Sequence, residues 1–277
     1  MKQTITLASL ILALVLCLAS CNGNSKSDIN VPTQYCEELV KLAEEGNAEA
    51  QMNLAKCYAN GEGVEKNNDE ANKWILKAAE QGNTDAMVEM GTAYFNGWGV
   101  PVDYKQALQW FQKAAEQGNA MALSNLGVCY EKGVGVPQNH KEAFNYYLKA
   151  AEQGNAPAQK FVADYYMKDF ASIGIAQDFD KAFYWYLKAA EQDNVSAQNH
   201  VGFCYMKGLG TGQDISKAIE WWEKASEQND PVALFNLGVT YINGDGISQD
   251  ISRGLEYMRK AASLGHEGAM RALQMYQ

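Results

Sequence analysis

Histidine is scarce in this chain, with three in 277 residues. So few leave little room for His-based metal or acid–base chemistry, and no HExxH, paired HxxxH or CxxC spacing occurs. Five prolines are too few for a Pro-rich disordered chain. Bases are also short, 23 against 33 acids, for a net charge of −10. That balance disfavours sequence-independent binding to phosphate backbones, which runs on Lys and Arg. No Ser-x-x-Lys and no Lys-Thr-Gly is present. The serine acylation chemistry of the β-lactam enzymes therefore has no motif here. Against these shortages stands a 47% apolar content, which is material for a core.

One long apolar run exists, Ile5 to Ala19, broken only by Thr6 and Ser9. It falls short of the roughly 20 residues of a membrane-spanning helix and fits the hydrophobic region of a secretory signal after Met1-Lys2-Gln3. The run ends in Leu18-Ala19-Ser20-Cys21, which resembles a bacterial lipobox. That resemblance implies a signal peptide over 1–20, cleavage before Cys21, and lipidation of the Cys21 thiol; the alternative is a plain signal with an incidental cysteine. Residues 21–33 are small and polar after Cys21 and read as a flexible tether.

The remainder is a repeat. AAEQGN begins at Ala78, Ala114 and Ala150, and related strings begin at Leu42, Ala189, Ala225 and Ala261. Each unit reads as two helices. The first has Ala, an apolar residue four later, a small residue, then an aromatic, as in Ala122/Leu126/Gly127/Tyr130. The second has Ala, an aromatic three later, then Lys, and the aromatic row Trp74, Trp110, Tyr146, Trp185, Trp221 and Tyr257 reads as packing. Asn67, Asp103, Asn139, Asp178, Asp214 and Asp250 stand where a second helix needs its N-cap. Gly46, Gly82, Gly118, Gly154, Asp193, Asn229 and Gly265 follow the second helices, where a left-handed residue ends a helix. Gly-x-Gly joins the helices of a pair, as in Gly97/Gly99; with no preceding strand and no following GK[ST], it is an inter-helix turn and not a phosphate loop.

These motifs together resemble the Sel1-like repeat family, a relative of the tetratricopeptide repeat. The resemblance covers residues 34–277, and 122–154 follow nearly all of the family pattern, with Tyr146 in place of Trp. It implies an all-α fold, an α/α right-handed superhelical solenoid of helix-turn-helix repeats, and a role in protein–protein contact. The expected layout is a half unit at 34–45, six units over 48–264 and a trailing helix at 266–277, the ends covering the apolar faces of the stack. One unit departs, with KDFASIGIAQD in place of the glycine turn. This segment is either a tolerated insertion or a contact loop.

By resemblance to tetratricopeptide proteins, the first helices line a concave face that holds peptides. One row on that face is Asn53, Glu89, Asn125, Phe161, His200 and Asn236. Asn53, Asn125, His200 and Asn236 are the candidate peptide-binding residues, because such side chains can hold an extended backbone; a helix–helix hydrogen bond is the competing reading. Phe203, Phe235 and Val239 are expected to form an apolar pocket toward the C-terminal end. The Lys77, Lys113, Lys149, Lys188 and Lys224 series, each three before a Glu, reads as a solvated ion-pair face. Cys129 and Cys204 read as buried small residues. Cys36 and Cys57 face each other if the hairpin pairs Ala43 with Ala50 and Leu39 with Leu54, leaving open a disulfide or two buried free thiols.

The expectation is a lipid-anchored, non-enzymatic repeat protein that binds another protein or peptide in the bacterial cell envelope. It needs no cofactor, metal or catalytic residue. Its partners are an unknown envelope protein or peptide and, through the lipid, a membrane; nucleic acid is not one. Asn22 is not the Asp of an inner-membrane retention signal, which favours the outer membrane. A hydrolase of the β-lactamase-like type found among cysteine-rich relatives is the alternative, and turnover of nitrocefin by the soluble body separates the two.

Overall fold

The computed structural model describes residues 31–276. The segments expected to be a signal peptide and most of a tether, with Cys21 between them, lie outside the described residues. Fourteen α-helices follow one another among those residues. They are α1 (Glu37–Glu44), α2 (Ala48–Asn60), α3 (Asn68–Glu80), α4 (Thr84–Asn96), α5 (Tyr104–Glu116), α6 (Ala120–Lys132), α7 (His140–Glu152), α8 (Ala156–Met167), α9 (Phe179–Ala190), α10 (Val195–Lys207), α11 (Ile215–Glu227), α12 (Pro231–Asn243), α13 (Ile251–Ser263) and α14 (Glu267–Gln274). No helix among the described residues is long and apolar enough to cross a membrane. The architecture is the all-α helix-turn-helix repeat that the sequence implied.

The chain divides into two compact units. The first runs to Ala122 and takes in Val134–Pro137; the second holds Leu123–Gly133 and Gln138 onward. Within each, a first-type helix packs most heavily on the second helix of its own repeat, as α2 does on α3 and α10 on α11.

Helix ends follow the sequence closely. Asn67, Asp103, Asn139, Asp178, Asp214 and Asp250 each accept backbone N–H bonds at the start of a second helix. The first helices carry their own caps, Asn47, Asn83, Asn155, Asn194 and Asp230, and His266 caps α14 through Nδ1. Asp193 and Asn229 stand in for glycine with φ of 61° and 59°.

The glutamine of AAEQGN has a role that the repeat alone did not reveal. Buried Gln159 donates to the Ala151 carbonyl at 3.2 Å and accepts from Gln192 at 2.8 Å. Gln198 repeats the pattern with Ala190 at 3.4 Å and Gln228 at 3.2 Å. Gln51 does so in unit one, with Ala43 at 3.0 Å and Gln81 at 2.7 Å. Each such side chain ties a first helix to the carbonyl end of the helix before it and to the end of its own partner.

The expected aromatic row is packing, as read: Trp74, Trp185, Trp221 and Tyr257 lie half-buried against the core, Tyr146 is half-buried and Trp110 is buried. A second row one residue beyond it, Phe111, Tyr147, Tyr186 and Trp222, is the more deeply buried. The reason is the small residue of the first helix. A Cβ on Gly202 would lie 2.5 Å from the Trp222 indole, and one on Gly127 the same distance from the Tyr147 ring. The outer row is instead roofed by lysines. Lys77 sits 3.7 Å from the Trp74 ring centre, Lys113 4.2 Å from that of Trp110, and Lys224 4.0 Å from that of Trp221. This corrects the ion-pair reading; of the five lysines only Lys188 pairs with its Glu, Glu191, at 4.0 Å.

Two further expectations change. Residues 31–33 are not tether: Val31 is buried with Leu39, Ala43 and Leu54, and Pro32 and Thr33 are gripped by α2. The Cys36–Cys57 disulfide is absent, both thiols being free although Leu39, Ala43, Ala50, Leu54 and Cys57 share one cluster as the register required. The reason is the incoming chain. Cys36 caps α1, its Sγ accepting from the Leu39 N–H at 3.4 Å, and Cys57 Sγ faces the Thr33 carbonyl at 3.9 Å.

The departing loop closes on its own unit, and so reads as a tolerated insertion. Phe170 and Ile175 pair their backbones, the Phe170 ring packs tilted against Tyr165 at 4.8 Å, and Ile175 is buried.

Burial pushes the Cys129 thiol up from 9.0 to about 11 and that of Cys204 to about 12. Both stay protonated in the folded chain while the unfolded chain ionises near 9.0. Their contribution is complete below that value and is lost as the pH climbs toward 11 and 12. At pH 8, alkylation of the native protein should therefore reach half-buried Cys36 first and spare Cys129 and Cys204. Denaturation without reductant should expose all four thiols among residues 31–276. Recovery of only two free thiols would restore the disulfide.

Candidate functional site

In unit one, the sequence rows on the first helices converge on one cleft of about 400 Å3. Helix α2 contributes Glu49, Met52, Asn53 and Lys56; Asn83 caps α4, which supplies Asp85, Val88 and Glu89; Met121 closes one side. These positions share a face because they recur three and four residues apart on each helix. Asn53, the sequence candidate, is buried at 9% exposure and donates Nδ2 to the Pro32 carbonyl at 3.1 Å. The chain's own incoming segment thus occupies the grip foreseen for a peptide. Asp85 accepts from Asn119 Nδ2 at 3.2 Å.

In unit two, the candidates are dispersed. Asn125 is half-buried on α6. His200 stacks on Tyr186 at 4.6 Å, with Nδ1 2.7 Å from the Ser196 carbonyl. Asn236 donates to Asn199 Oδ1 at 3.0 Å, the helix–helix bond of the competing reading. Phe203, Phe235 and Val239 do not share one cluster, which corrects the pocket. Phe235 and Val239 pack against the buried residues Leu234, Ile242 and Met258, and Phe235 also stacks on His266 at 4.4 Å. Phe203 stands 42% exposed on α10. His266 and the last helix cover what would have been the pocket.

A second cleft in unit two, about 620 Å3, lies at the ends of α9 and α11. It is lined by Glu191, Asp193, Trp221, Lys224 and Glu227 with the glutamine ladder at its floor. Lys224 already covers the Trp221 ring, so the aromatic face is taken.

The titratable groups of unit two form a structural network. Tyr186 donates to Asp164 Oδ1 at 2.6 Å, and Lys160 reaches Asp164 Oδ2 at 2.6 Å. Tyr165 donates to Glu131, with His140 Nδ1 3.6 Å from the same carboxylate. Burial, reinforced by Glu131 or Asp164, drives the Tyr147, Tyr165 and Tyr186 hydroxyls well above the usual phenol range. None of the three is an acid–base group near neutrality, and Tyr165 and Tyr186 act as hydrogen-bond donors. Tyr147 OH has no hydrogen-bond partner among the described residues. No group of three or more His, Cys, Asp or Glu among those residues could hold a metal ion.

Comparison with known proteins follows the repeat. The Sel1 repeat family matches residues 48–83, 84–119, 120–155, 156–194, 195–230 and 231–266. A protective antigen of uropathogenic Escherichia coli strains, described as displaying an SLR fold, is similar at 36% identity and a TM-score of 0.76. The match covers 87% of this chain and 50% of the antigen, so this chain spans about half that protein's length. A Sel1 repeat protein from Oxalobacter formigenes is similar at 30% identity and TM-score 0.71, over 81% of this chain and 90% of its own. An immunity protein from Pseudomonas aeruginosa shares the fold at 20% identity and TM-score 0.53, over 79% of this chain and 82% of its own. No curated protein matches significantly.

The hydroxyl network separates two substitutions of equal size. Tyr186→Phe leaves Asp164 short of a buried donor and should cost roughly 1–2 kcal/mol. Tyr147→Phe removes an orphaned hydroxyl and should be neutral or stabilising by up to about 1 kcal/mol. Paired thermal and urea melts check this; a clear loss for Tyr147→Phe would mean that its hydroxyl is satisfied in solution.

Proposed function

Starting from a chain that belongs to the Sel1 repeat family, we propose that it is a non-enzymatic docking module of the bacterial cell envelope. It is held by a lipid on Cys21 and receives an extended segment of a partner protein in the cleft of unit one. Sel1 repeat proteins mediate protein–protein interaction, and the proteins of similar structure are repeat scaffolds.

The observation that carries the docking reading is the way α2 holds non-helical backbone. Asn53 and Cys57 stand one helical turn apart and face the carbonyls of consecutive residues, Pro32 and Thr33. Beside this grip, Met52, Val88 and Met121 offer apolar surface next to charged groups in a concave space. The support for anchoring is Leu18-Ala19-Ser20-Cys21 at the end of the apolar run, with Asn22 favouring the outer membrane. A tether that ends at Val31, against α2, would leave the cleft close to the point where the chain departs for the membrane.

A photo-crosslinking residue placed at Lys56 or Met121 in the producing cell should give a discrete protein adduct. The same residue at Glu116, exposed on the second helix α5, should not. Cys21→Ala should move the protein out of the detergent phase and reduce the adduct. Adducts at Glu116 with none at the cleft would overturn the docking site; unchanged detergent partition of Cys21→Ala would overturn the anchor.

A further inference from the structure

Resting on the docking reading of unit one, we propose that the cleft selects an extended partner segment carrying a lysine or arginine beside an aliphatic side chain. Three carboxylates, Glu49, Asp85 and Glu89, line the cleft against one ammonium, Lys56. None of the three takes part in the ion pairs among the described residues. The neutral amide of Asn119 is bonded to Asp85 and leaves its charge uncompensated. Asp85 and Glu89 are one helical turn apart on α4, so two like charges face the same space, an arrangement that a cation relieves.

Four other lysines of unit one are committed elsewhere, Lys41 to Glu45 and Lys73 to Glu70 among them. Lys77 and Lys113 lie over Trp74 and Trp110 on the second helices. The floor of the cleft is aliphatic, with Val88 4% exposed and Met121 58% exposed beside Met52. Methionine side chains adapt to whatever stem is laid on them. Lysine and arginine are amphipathic in the required sense: their methylene stems cover apolar surface while the head group reaches polar partners. A segment laid in the cleft would thus place a stem on the methionines and a cation among the carboxylates. An acidic or neutral segment would leave those carboxylates facing like charge or unpaired.

The test uses the full chain and short fluorescein-labelled peptides that differ only in one residue type, repeated Leu-Lys, Leu-Gln or Leu-Glu, read by fluorescence anisotropy. The Leu-Lys probe should bind about tenfold or more tightly than Leu-Gln, with Leu-Glu weakest, and the gap should shrink as salt is raised. The triple variant Glu49→Gln, Asp85→Asn, Glu89→Gln should remove the preference. A control triple variant away from the cleft, Glu65→Gln, Glu80→Gln, Glu116→Gln, should keep it, all three being exposed. Equal loss in both variants would assign the preference to net charge and overturn the proposal. Equal binding of all three probes would also overturn it while leaving the docking site intact. If no probe binds but the Met121 photo-adduct forms, the charge selection is wrong and docking stands; if both fail, both fall.

Discussion

Short helices have many ends. In this chain a helix starts or stops every few residues, and each end exposes four backbone N–H or C=O groups that must find partners. Everything else in the repeat depends on meeting that demand. Asn and Asp caps take the N–H groups, left-handed Gly, Asp193 or Asn229 turns the chain at the other end, and the glutamine ladder takes carbonyls of the helix before. Positions so used are not free to vary. The Gln51, Gln159 and Gln198 side chains are the buried polar groups through which one repeat fixes the angle of the next. Where the repeat has Leu123 or Leu234 instead, the site is apolar and the same space is filled by packing, and at Met87 the sulfur accepts from Gln117 at 3.8 Å.

Packing supplies the second constraint. Gly127 and Gly202 let a tyrosine or tryptophan ring lie on the first helix, and larger side chains there would collide with it. With the ends and the ring contact assigned, the remaining first-helix face is where the repeats differ. Asn53 and Glu89, Met52 and Val88 are equivalent positions with different chemistry. The cleft is therefore built on the part of the repeat that folding does not need, which is why a scaffold of this kind can change partner without changing fold.

The two units spend that freedom differently. In unit one the face stays open as a charged and apolar cleft. In unit two its members turn on each other: His200 on Tyr186, Asn236 on Asn199, Phe235 on His266. Raised tyrosine hydroxyls and buried thiols there are consequences of a dry core with carboxylates at its margin.

The sequence by itself determined the period, the helix boundaries, the second-helix caps and the left-handed turns, because each is decided by a few consecutive residues and their own backbone. It also located the first-helix face on which the unit-one cleft forms. Only the tertiary structure decided which of two adjacent aromatics enters the core, since neighbours in a helix differ by about 100° of rotation and the partner helix selects between them. It likewise decided that lysines cover tryptophans and not glutamates, that Val31–Thr33 pack against the head of unit one, and that Cys36 and Cys57 stay unbonded. Those outcomes depend on atoms brought together across tens of residues, where spacing in the sequence sets which groups can meet and competition among them sets which do.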